Sequence, residues 1–223
     1  MLNGERKIAR PLRWGMVGGG RTANVGYKHR QGAMRDNTTY ELLAGAFDIN
    51  PERGRAFGEA LSLDPARCYP DYRTLFEVEA VRPDGVQAVS IATPNGTHFE
   101  ICKAALKAGI HVVCEKPLCF TVAEAEELLA LAQSANKVVG VTYGYAGYQM
   151  IQQARQMIAD GLLGEIRIVN MQFAHGFHNE AVEDADDALL QGSAAHNAVV
   201  YDNQIVRAGH EAAVSDVVHM GGK

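Results

Sequence analysis

The sequence has few cysteines, no strong excess of either charge and no long hydrophobic run. Its four cysteines form no C-x-x-C pair and no Cys/His metal spacing, which argues against a disulfide scaffold and favours a reduced compartment. The net charge of −5 gives no basic patch for nucleic acid. No run reaches the roughly 18 apolar residues of a membrane span, and the polar first residues lack a signal-peptide core. We therefore expect a cytoplasmic protein that binds neither nucleic acid nor membrane.

Short apolar runs alternate with longer amphipathic segments from Leu12 onward, which predicts βαβ units and a parallel sheet in an α/β fold. The predicted strands are 14–17, 41–47, 85–92, 110–114 and 138–143. The predicted helices are 21–34, 52–61, 71–79, 97–107 and 121–136. The last helix begins with Thr-Val-Ala-Glu at Thr121, the spacing of a capping box.

The pattern changes near Gly144, where we place a domain boundary. A helix over 148–160 and a β-branched run over 166–173 predict the start of a second α/β domain. Beyond about Glu180 the periodicity fades. Residues 1–143 are therefore expected to form one domain, and residues 144–223 are expected to be the truncated or divergent beginning of another.

A glycine-rich turn separates the first predicted strand from the first predicted helix. It reads Gly18-Gly19-Gly20-Arg21-Thr22-Ala23 and fits G-x-G-x-x-A. Gly18 would form the tight turn, Gly20 would let the backbone approach a pyrophosphate, and Ala23 would let helix and strand pack closely. The helix N-terminus offers unpaired N–H groups to phosphates, and Arg21 adds positive charge. The turn predicts that residues 1–143 are a Rossmann dinucleotide-binding domain.

An acidic residue ends the second predicted strand. Asp48 follows Gly18 by 30 residues, against a usual spacing of about 20, and we attribute the difference to a lengthened first helix. A carboxylate here can accept hydrogen bonds from both ribose hydroxyls and repel a 2′-phosphate. Asp48 therefore favours NAD as the cofactor, whereas Arg53 nearby keeps NADP open.

Two later strands end in polar groups suited to a ligand site. They are Thr93-Pro94-Asn95 with His98, and Glu115-Lys116-Pro117. Ligands of open α/β sheets collect at the carboxyl ends of the strands, so both groups are predicted to line the same edge. The alternatives are that Asn95 forms a turn, that His98 is a first-turn helix residue, and that Lys116 is a solvated lysine.

The succession of these motifs resembles the glucose-fructose oxidoreductase / inositol dehydrogenase / MocA family of NAD(P)-dependent oxidoreductases. The resemblance covers about residues 12–180 and rests on Gly18-Gly19-Gly20, Asp48, Ala92-Thr93-Pro94-Asn95 with His98, and Cys114-Glu115-Lys116-Pro117-Leu118. It implies hydride transfer between a nicotinamide and a secondary alcohol carbon of a sugar, inositol or related polyol. It also implies that both strand-end groups contact the cofactor. Residues 144–223 would then begin a domain for substrate binding and homo-oligomerisation.

The resemblance places Lys116 beside the nicotinamide and the reacting carbon. An ammonium there can hydrogen-bond the reacting oxygen and stabilise developing alkoxide charge. Pro117 would fix the turn, and its X-Pro bond can adopt the cis form at little cost. Glu115 would contact the cofactor or, equally, support the turn as a structural carboxylate.

A catalytic partner for Lys116 is harder to place. Family members carry an Asp and a His four residues apart, the His accepting the substrate proton, and this sequence has no Asp-x-x-x-His. His196 is the nearest candidate, although Gly192 stands where the Asp belongs. His175 and His178 have no evident third ligand, so no metal is predicted. Two alternatives follow: a non-catalytic dinucleotide-binding or regulatory protein, and a hydrolytic or eliminating enzyme that holds NAD tightly.

Overall fold

The protein forms two compact units, Met1–Tyr143 and Gly144–Lys223. The computed structural model describes residues 10–35 and 39–170, together with the backbone of 205–207. None of the helices in these ranges is long and apolar enough to cross a membrane.

The first unit is a parallel sheet with helices between its strands. Its strands within the described ranges are β1 (Leu12–Gly18), β2 (Tyr40–Ala46), β3 (Ala88–Ala92), β4 (His111–Cys114) and β5 (Val139–Val141). The helices are α1 (Asn24–Ala33), α2 (Pro51–Ala60), α3 (Tyr72–Val81), α4 (His98–Lys107) and α5 (Val122–Ser134). The spatial order is β2-β1-β3-β4-β5, and every neighbouring pair is parallel. The predicted α/β class is confirmed.

A parallel bridge extends this sheet beyond β2. Gly45 and Cys68 form the bridge, and the backbone N–H of Tyr69 donates to the Gly45 carbonyl at 2.8 Å. This is the place of the outer strand in the Rossmann order 3-2-1-4-5-6. The chain between α2 and α3 thus supplies a minimal version of that strand. The reversal of strand order, where ligands bind in such folds, falls between β1 and β3.

Strand β3 is buried along most of its length. Ala88, Val89, Ser90 and Ile91 are all inaccessible, as expected for a central parallel strand covered on both faces. The polar member of the run, Ser90, accepts a hydrogen bond from the indole of Trp14 at 3.0 Å. Helices α3, α4 and α5 cover the sheet with buried side chains that include Leu75, Phe76, Ile101, Leu106 and Leu128.

A buried ion pair joins the turn after α2 to helix α3. Arg67 Nε donates to Glu79 Oε1 at 2.9 Å, and the two side chains are 7% and 0% exposed. Tyr69 donates its hydroxyl to the same oxygen at 2.8 Å, and the Val86 N–H donates to Oε2 at 3.0 Å. Burial, together with this carboxylate, raises the pKa of Tyr69. Partners on both oxygens offset the cost of removing the carboxylate from water.

The same carboxylate explains one difference from the predicted elements. The run from Gly85 predicted a strand over 85–92, but β3 begins at Ala88. The Gly85 N–H donates to the Arg82 carbonyl at 3.1 Å, and Glu79 takes the next N–H. These backbone groups close a turn and are not available to the sheet.

The second unit begins with a 3₁₀ turn, Gly144–Gly147, followed by helix α6 (Gln149–Ala159), which corresponds to the predicted helix over 148–160. Strand β6 (Ile168–Asn170) then pairs with β7 (Ile205–Arg207) in antiparallel register. The last residues of the strand predicted over 166–173 lie outside the described residues. So do three histidines considered from the sequence: His175, His178 and His196.

Candidate functional site

The glycine loop connects β1 to α1 and has a backbone that favours glycine. Gly18 and Gly19 have φ angles of 72° and 67°. The Gly19 N–H donates to the Ala92 carbonyl at 3.1 Å, and a Cβ on Gly18 would lie 2.6 Å from that oxygen. The loop is therefore packed directly against the end of β3.

Helix α1 also packs against the glycine loop. Arg30 donates to the Gly19 carbonyl at 2.6 Å, and its guanidinium lies 4.9 Å from the centre of the Phe57 ring. Burial lowers the pKa of Arg30. The closest approach of helix to loop is at Gly26, where a Cβ would overlap the Cα of Gly19. The sequence interpretation gave this packing role to Ala23 and missed Gly26.

Backbone N–H donors are available where the glycine loop leads into α1. Helix α1 begins at Asn24 and not at Arg21 as predicted, because the loop continues through Ala23, whose N–H donates to the Gly20 carbonyl at 3.0 Å. Ala23 is the N-cap and provides no side-chain cap. Within the described residues the N–H of buried Gly20 donates no hydrogen bond. These free donors fit the pyrophosphate of a dinucleotide.

The side chains that flank the loop are exposed. Arg21 extends toward α2, with its guanidinium 5.8 Å from the centre of the Phe57 ring. Thr22 is exposed beside it, and Ala23 is half-buried. Cofactor contacts by these three residues stay predictions.

Asp48 follows β2 at the same edge of the sheet. Arg53 binds its carboxylate with two hydrogen bonds, Nη2 to Oδ1 at 2.8 Å and Nε to Oδ2 at 3.2 Å. The Asn50 N–H also donates to Oδ1, at 2.8 Å. The hydrogen bond from Arg53, followed by that from Asn50, lowers the pKa of Asp48. A ribose at this position would meet an ionised carboxylate already paired with a guanidinium.

The residues after β3 form a short 3₁₀ turn, Asn95–Thr97, before α4. The Thr97 hydroxyl lies 2.7 Å from both the Thr93 hydroxyl and the Pro94 carbonyl. Because it has a single proton, it donates to the carbonyl and accepts from Thr93. Pro94 is exposed and Asn95 half-buried, so either residue could contact a ligand at this edge.

His98 is fully buried, and both of its ring nitrogens face backbone carbonyls. Nδ1 lies 2.6 Å from the Pro117 oxygen, and Nε2 lies 2.9 Å from the Thr93 oxygen. The side chain therefore connects the ends of β3 and β4 beneath the surface. A hydrogen bond from its ring to the cofactor would require one ring nitrogen to leave the carbonyl that it faces.

Glu115 follows β4 and is held by two side chains. His29 Nε2 lies 3.0 Å from Oε1, and the Thr142 hydroxyl donates to the same oxygen at 2.5 Å. Oε2 accepts from the Lys116 N–H at 3.3 Å. Burial opposes ionisation, but the hydrogen bonds from His29 and Thr142 outweigh it and lower the pKa of Glu115. The geometry supports the structural alternative for Glu115, and the sequence interpretation missed His29.

Lys116 is exposed at the end of β4, and the Lys116–Pro117 peptide bond is cis. Its ammonium contacts no acceptor among the residues that the structure describes. Strand register brings the predicted groups to one edge, because Gly18 pairs with Ala92 and Ile91 pairs with Cys114. The same described part of the chain holds no cluster of three or more His, Cys, Asp or Glu that could bind a metal ion.

The glycine loop, the acidic end of β2 and the reversal between β1 and β3 define a Rossmann dinucleotide-binding domain. Residues 12–143 match the model of an oxidoreductase family with an NAD-binding Rossmann fold, Gfo/Idh/MocA. The protein belongs to this family. The match confirms three predictions: the family resemblance, the Rossmann fold and NAD as the cofactor.

Relatives cover most of this chain but extend well beyond it. The protein is 63% identical over 177 residues to the uncharacterized oxidoreductase YfiI of Bacillus subtilis (strain 168), which covers 79% of this chain and 45% of that protein. Identity to the D-glucoside 3-dehydrogenase of Escherichia coli (strain K12) is 31% over 158 residues, or 71% of this chain and 42% of that one.

A solved structure of an inositol dehydrogenase homolog from Azotobacter vinelandii, complexed with NADH and myo-inositol, is also similar. It aligns with a TM-score of 0.74 and 67% identity over 79% of this chain and 46% of that one. The chain thus spans less than half the length of each of these three proteins.

Proposed function

We propose that the protein is an NAD-dependent dehydrogenase that moves hydride between the nicotinamide and a secondary alcohol carbon of a sugar, inositol or related polyol. The position of Lys116 carries the proposal. Its exposed side chain follows β4 at the ligand-binding edge, and its ammonium is unpaired among the described residues. Ammonium groups at such an edge are suited to binding an oxygen that gains negative charge.

Each group at the edge has a task in this function. Bound NAD supplies the hydride acceptor. The Gly20 N–H and the start of α1 would hold the pyrophosphate, and the Asp48 carboxylate would accept hydrogen bonds from the ribose hydroxyls. Lys116 would hydrogen-bond the substrate oxygen and stabilise its developing negative charge while the hydroxyl proton passes to a base, for which His196 is the candidate. Glu115 keeps the backbone of Lys116 in place.

The substrate class is supported by the names of two relatives. The inositol dehydrogenase homolog was solved with myo-inositol, and the Escherichia coli relative is named for oxidation of D-glucosides. Residues 144–223 would begin a domain for substrate binding and homo-oligomerisation, in a cytoplasmic protein. His196 stays the proposed proton acceptor, and NADP the alternative cofactor.

Replacement of Lys116 by alanine tests the proposal. Turnover of NAD would be followed with a panel that includes myo-inositol and simple glucosides, and NADH binding would be followed by fluorescence. We expect Lys116→Ala to lower kcat by about 10²- to 10⁴-fold, as for loss of acid–base catalysis, with unchanged NADH affinity. Lys107→Ala, an exposed lysine in the last turn of α4, is the matched control and should retain full activity. A fully active Lys116→Ala variant would contradict the role of the lysine.

The same assay separates the alternatives from this proposal. Wild-type protein that binds NADH but oxidises no member of the panel would favour a non-catalytic dinucleotide-binding protein. Purified protein that carries NAD and cleaves or dehydrates a sugar without net NADH release would favour the hydrolytic or eliminating alternative.

A further inference from the structure

The Glu115 carboxylate is held from helix α1, which in sequence lies far from the turn that carries Lys116. His29, on α1, is bonded to Glu115 across 86 positions of sequence, and only 7% of the His29 side chain is exposed. We propose that His29 is a positioning residue for Lys116: it fixes the Glu115 carboxylate and, through it, the backbone from which the ammonium extends. The inference rests on the proposed function for its kinetic consequences.

The contacts form a continuous path from His29 to Lys116. His29 and Thr142 both bind Oε1 of Glu115, which leaves Oε2 to accept the Lys116 N–H. Two partners on one oxygen restrict the rotation of the carboxylate. Without His29, the carboxylate, which is only 18% exposed, would lose one of its two side-chain partners. Glu115 would then turn toward water, and the hydrogen bond to Lys116 would be lost.

The chemistry of the pair requires a donor at position 29. The hydrogen bonds to Glu115 lower its pKa, so the carboxylate is ionised at neutral pH and can only accept. Nε2 of His29 must therefore carry the proton. A leucine of similar volume would keep the packing but not the hydrogen bond, whereas a glutamine would offer an amide donor at a similar reach.

Helix α1 has the geometry for this task. His29 lies three positions after Gly26, so the two residues lie on the same side of the helix. Gly26 packs on the glycine loop, which ties the helix to the phosphate end of the dinucleotide site. Helix α1 therefore contacts the glycine loop through Gly26 and the turn after β4 through His29.

The experiment compares three variants of the full chain: His29→Leu, His29→Gln and, as the matched control, Lys28→Ala on the exposed side of α1. The measurements are kcat with NAD and a polyol, the Kd of NADH, the melting temperature, and hydrogen–deuterium exchange of the Lys116 amide. We expect His29→Leu to lower kcat by up to about 10²-fold, as small misplacements of catalytic groups do. Exchange at Lys116 should rise, while the Kd of NADH stays unchanged. His29→Gln should recover most of both effects, and Lys28→Ala should match the wild type.

Three results would overturn the inference. The first is wild-type kcat and amide exchange in His29→Leu. The second is equal kcat and equal Lys116 exchange in the Leu and Gln variants, since His29 would then act through its volume and not through its hydrogen bond. The third is a loss of NADH affinity as large as the loss of kcat, which would make His29 part of the cofactor site.

The inference can still be tested if a variant fails to fold or if the wild type has no activity. If His29→Leu does not fold, Thr142→Val removes the other hydrogen bond to the same oxygen, and wild-type kcat in that variant would refute the positioning path. If the wild type itself turns over no substrate, the proposed function fails, but the exchange of the Lys116 amide still decides the role of His29.

Discussion

Gly26 of helix α1 touches Gly19 of the glycine loop backbone to backbone. A Cβ on Gly19 would lie 2.8 Å from the Gly26 Cα, closer than real Cβ atoms come, and a Cβ on Gly26 would overlap Gly19 itself. The contact sets how near the start of α1 lies to the loop. Any side chain at position 26 must push the two apart.

Replacement of Gly26 by alanine should therefore damage the cofactor site. We expect destabilisation by about 1–3 kcal/mol, the usual cost of overpacking, together with loss of NADH binding. Gly32→Ala is the matched control on the same helix, because nothing lies within 4 Å of a Cβ there. That change should stabilise α1 by about 0.5–1 kcal/mol and leave binding intact. Urea unfolding and NADH fluorescence measure both effects, and equal NADH affinities in the two variants would contradict the argument.

The carboxylate of Asp48 should set the preference for NAD. We expect Asp48→Ala to weaken NADH binding by about 10- to 100-fold, because hydrogen bonds to a charged group contribute about 1.5–3 kcal/mol. Arg53, freed from its partner, should then attract a 2′-phosphate, so the ratio of NADPH to NADH affinity should rise. Glu52→Ala, in the first turn of α2, removes an acidic side chain without touching Asp48 and serves as the control. Unchanged affinity for both cofactors in Asp48→Ala would place the ribose elsewhere.

The ion pair between Arg67 and Glu79 should be essential for stability. Glu79→Ala leaves the buried Arg67 guanidinium with only its longer contacts to Asp84, 3.4 Å to the carboxylate and 3.2 Å to the backbone carbonyl. We expect a loss of up to about 3–5 kcal/mol in the free energy of unfolding. Glu77→Ala, two positions away on the exposed side of α3, should change it little. Tyr69→Phe removes one of the hydrogen bonds to the carboxylate and should have an intermediate effect of about 1–3 kcal/mol. Equal unfolding midpoints for the two glutamate variants would show that the pair is dispensable.

The N-cap of α3 should make stability depend on pH in acid. Asp71 accepts from the Thr74 N–H at 2.9 Å and the Arg73 N–H at 2.8 Å, and the hydrogen bond from Thr74 is the main cause of its lowered pKa. Asp71→Ala should cost about 0.5–2 kcal/mol at neutral pH, as loss of a cap does. A pKa that is lower in the folded state contributes stability above the unfolded value of about 3.9, and the contribution disappears as the pH falls through the folded value.

Asparagine at position 71 provides the comparison, since it caps a helix without titrating. Any advantage of the wild type over Asp71→Asn should be constant near neutral pH and should fall as the pH drops below about 4. A difference that stays constant down to pH 2 would mean that Asp71 has the same pKa in the folded and unfolded chain.

Sequence signals that act over a few residues predicted the corresponding structure well. The Thr121 and Glu124 capping box is present with both of its hydrogen bonds. The glycine turn and Asp48 end their strands at the expected edge because strand direction in a parallel sheet leaves no other place for them.

The contacts that the sequence interpretation missed join residues far apart in the chain. Glu115 and His29 are brought together only by the order of the strands, and no local pattern encodes that distance. Glu79 did leave a signal: it lies four positions after Leu75, on the apolar side of α3, where an ionisable residue needs a buried partner. The partner, Arg67, could not be predicted, because it lies in a turn whose sequence has no periodic pattern.

The hydrogen bond from Arg30 to the Gly19 carbonyl orients the whole peptide group between Gly19 and Gly20. A trans peptide group is planar, so its carbonyl and the next N–H point in opposite directions. By fixing the Gly19 oxygen at 2.6 Å, Arg30 also fixes the direction of the Gly20 N–H, which has no acceptor in the part of the chain that the structure describes. The Gly20 N–H is therefore oriented in the folded protein before any phosphate binds. Such preorganisation lowers the entropic cost of binding. If the Gly20 N–H binds the pyrophosphate as proposed, Arg30 would raise the affinity for the dinucleotide without contacting it.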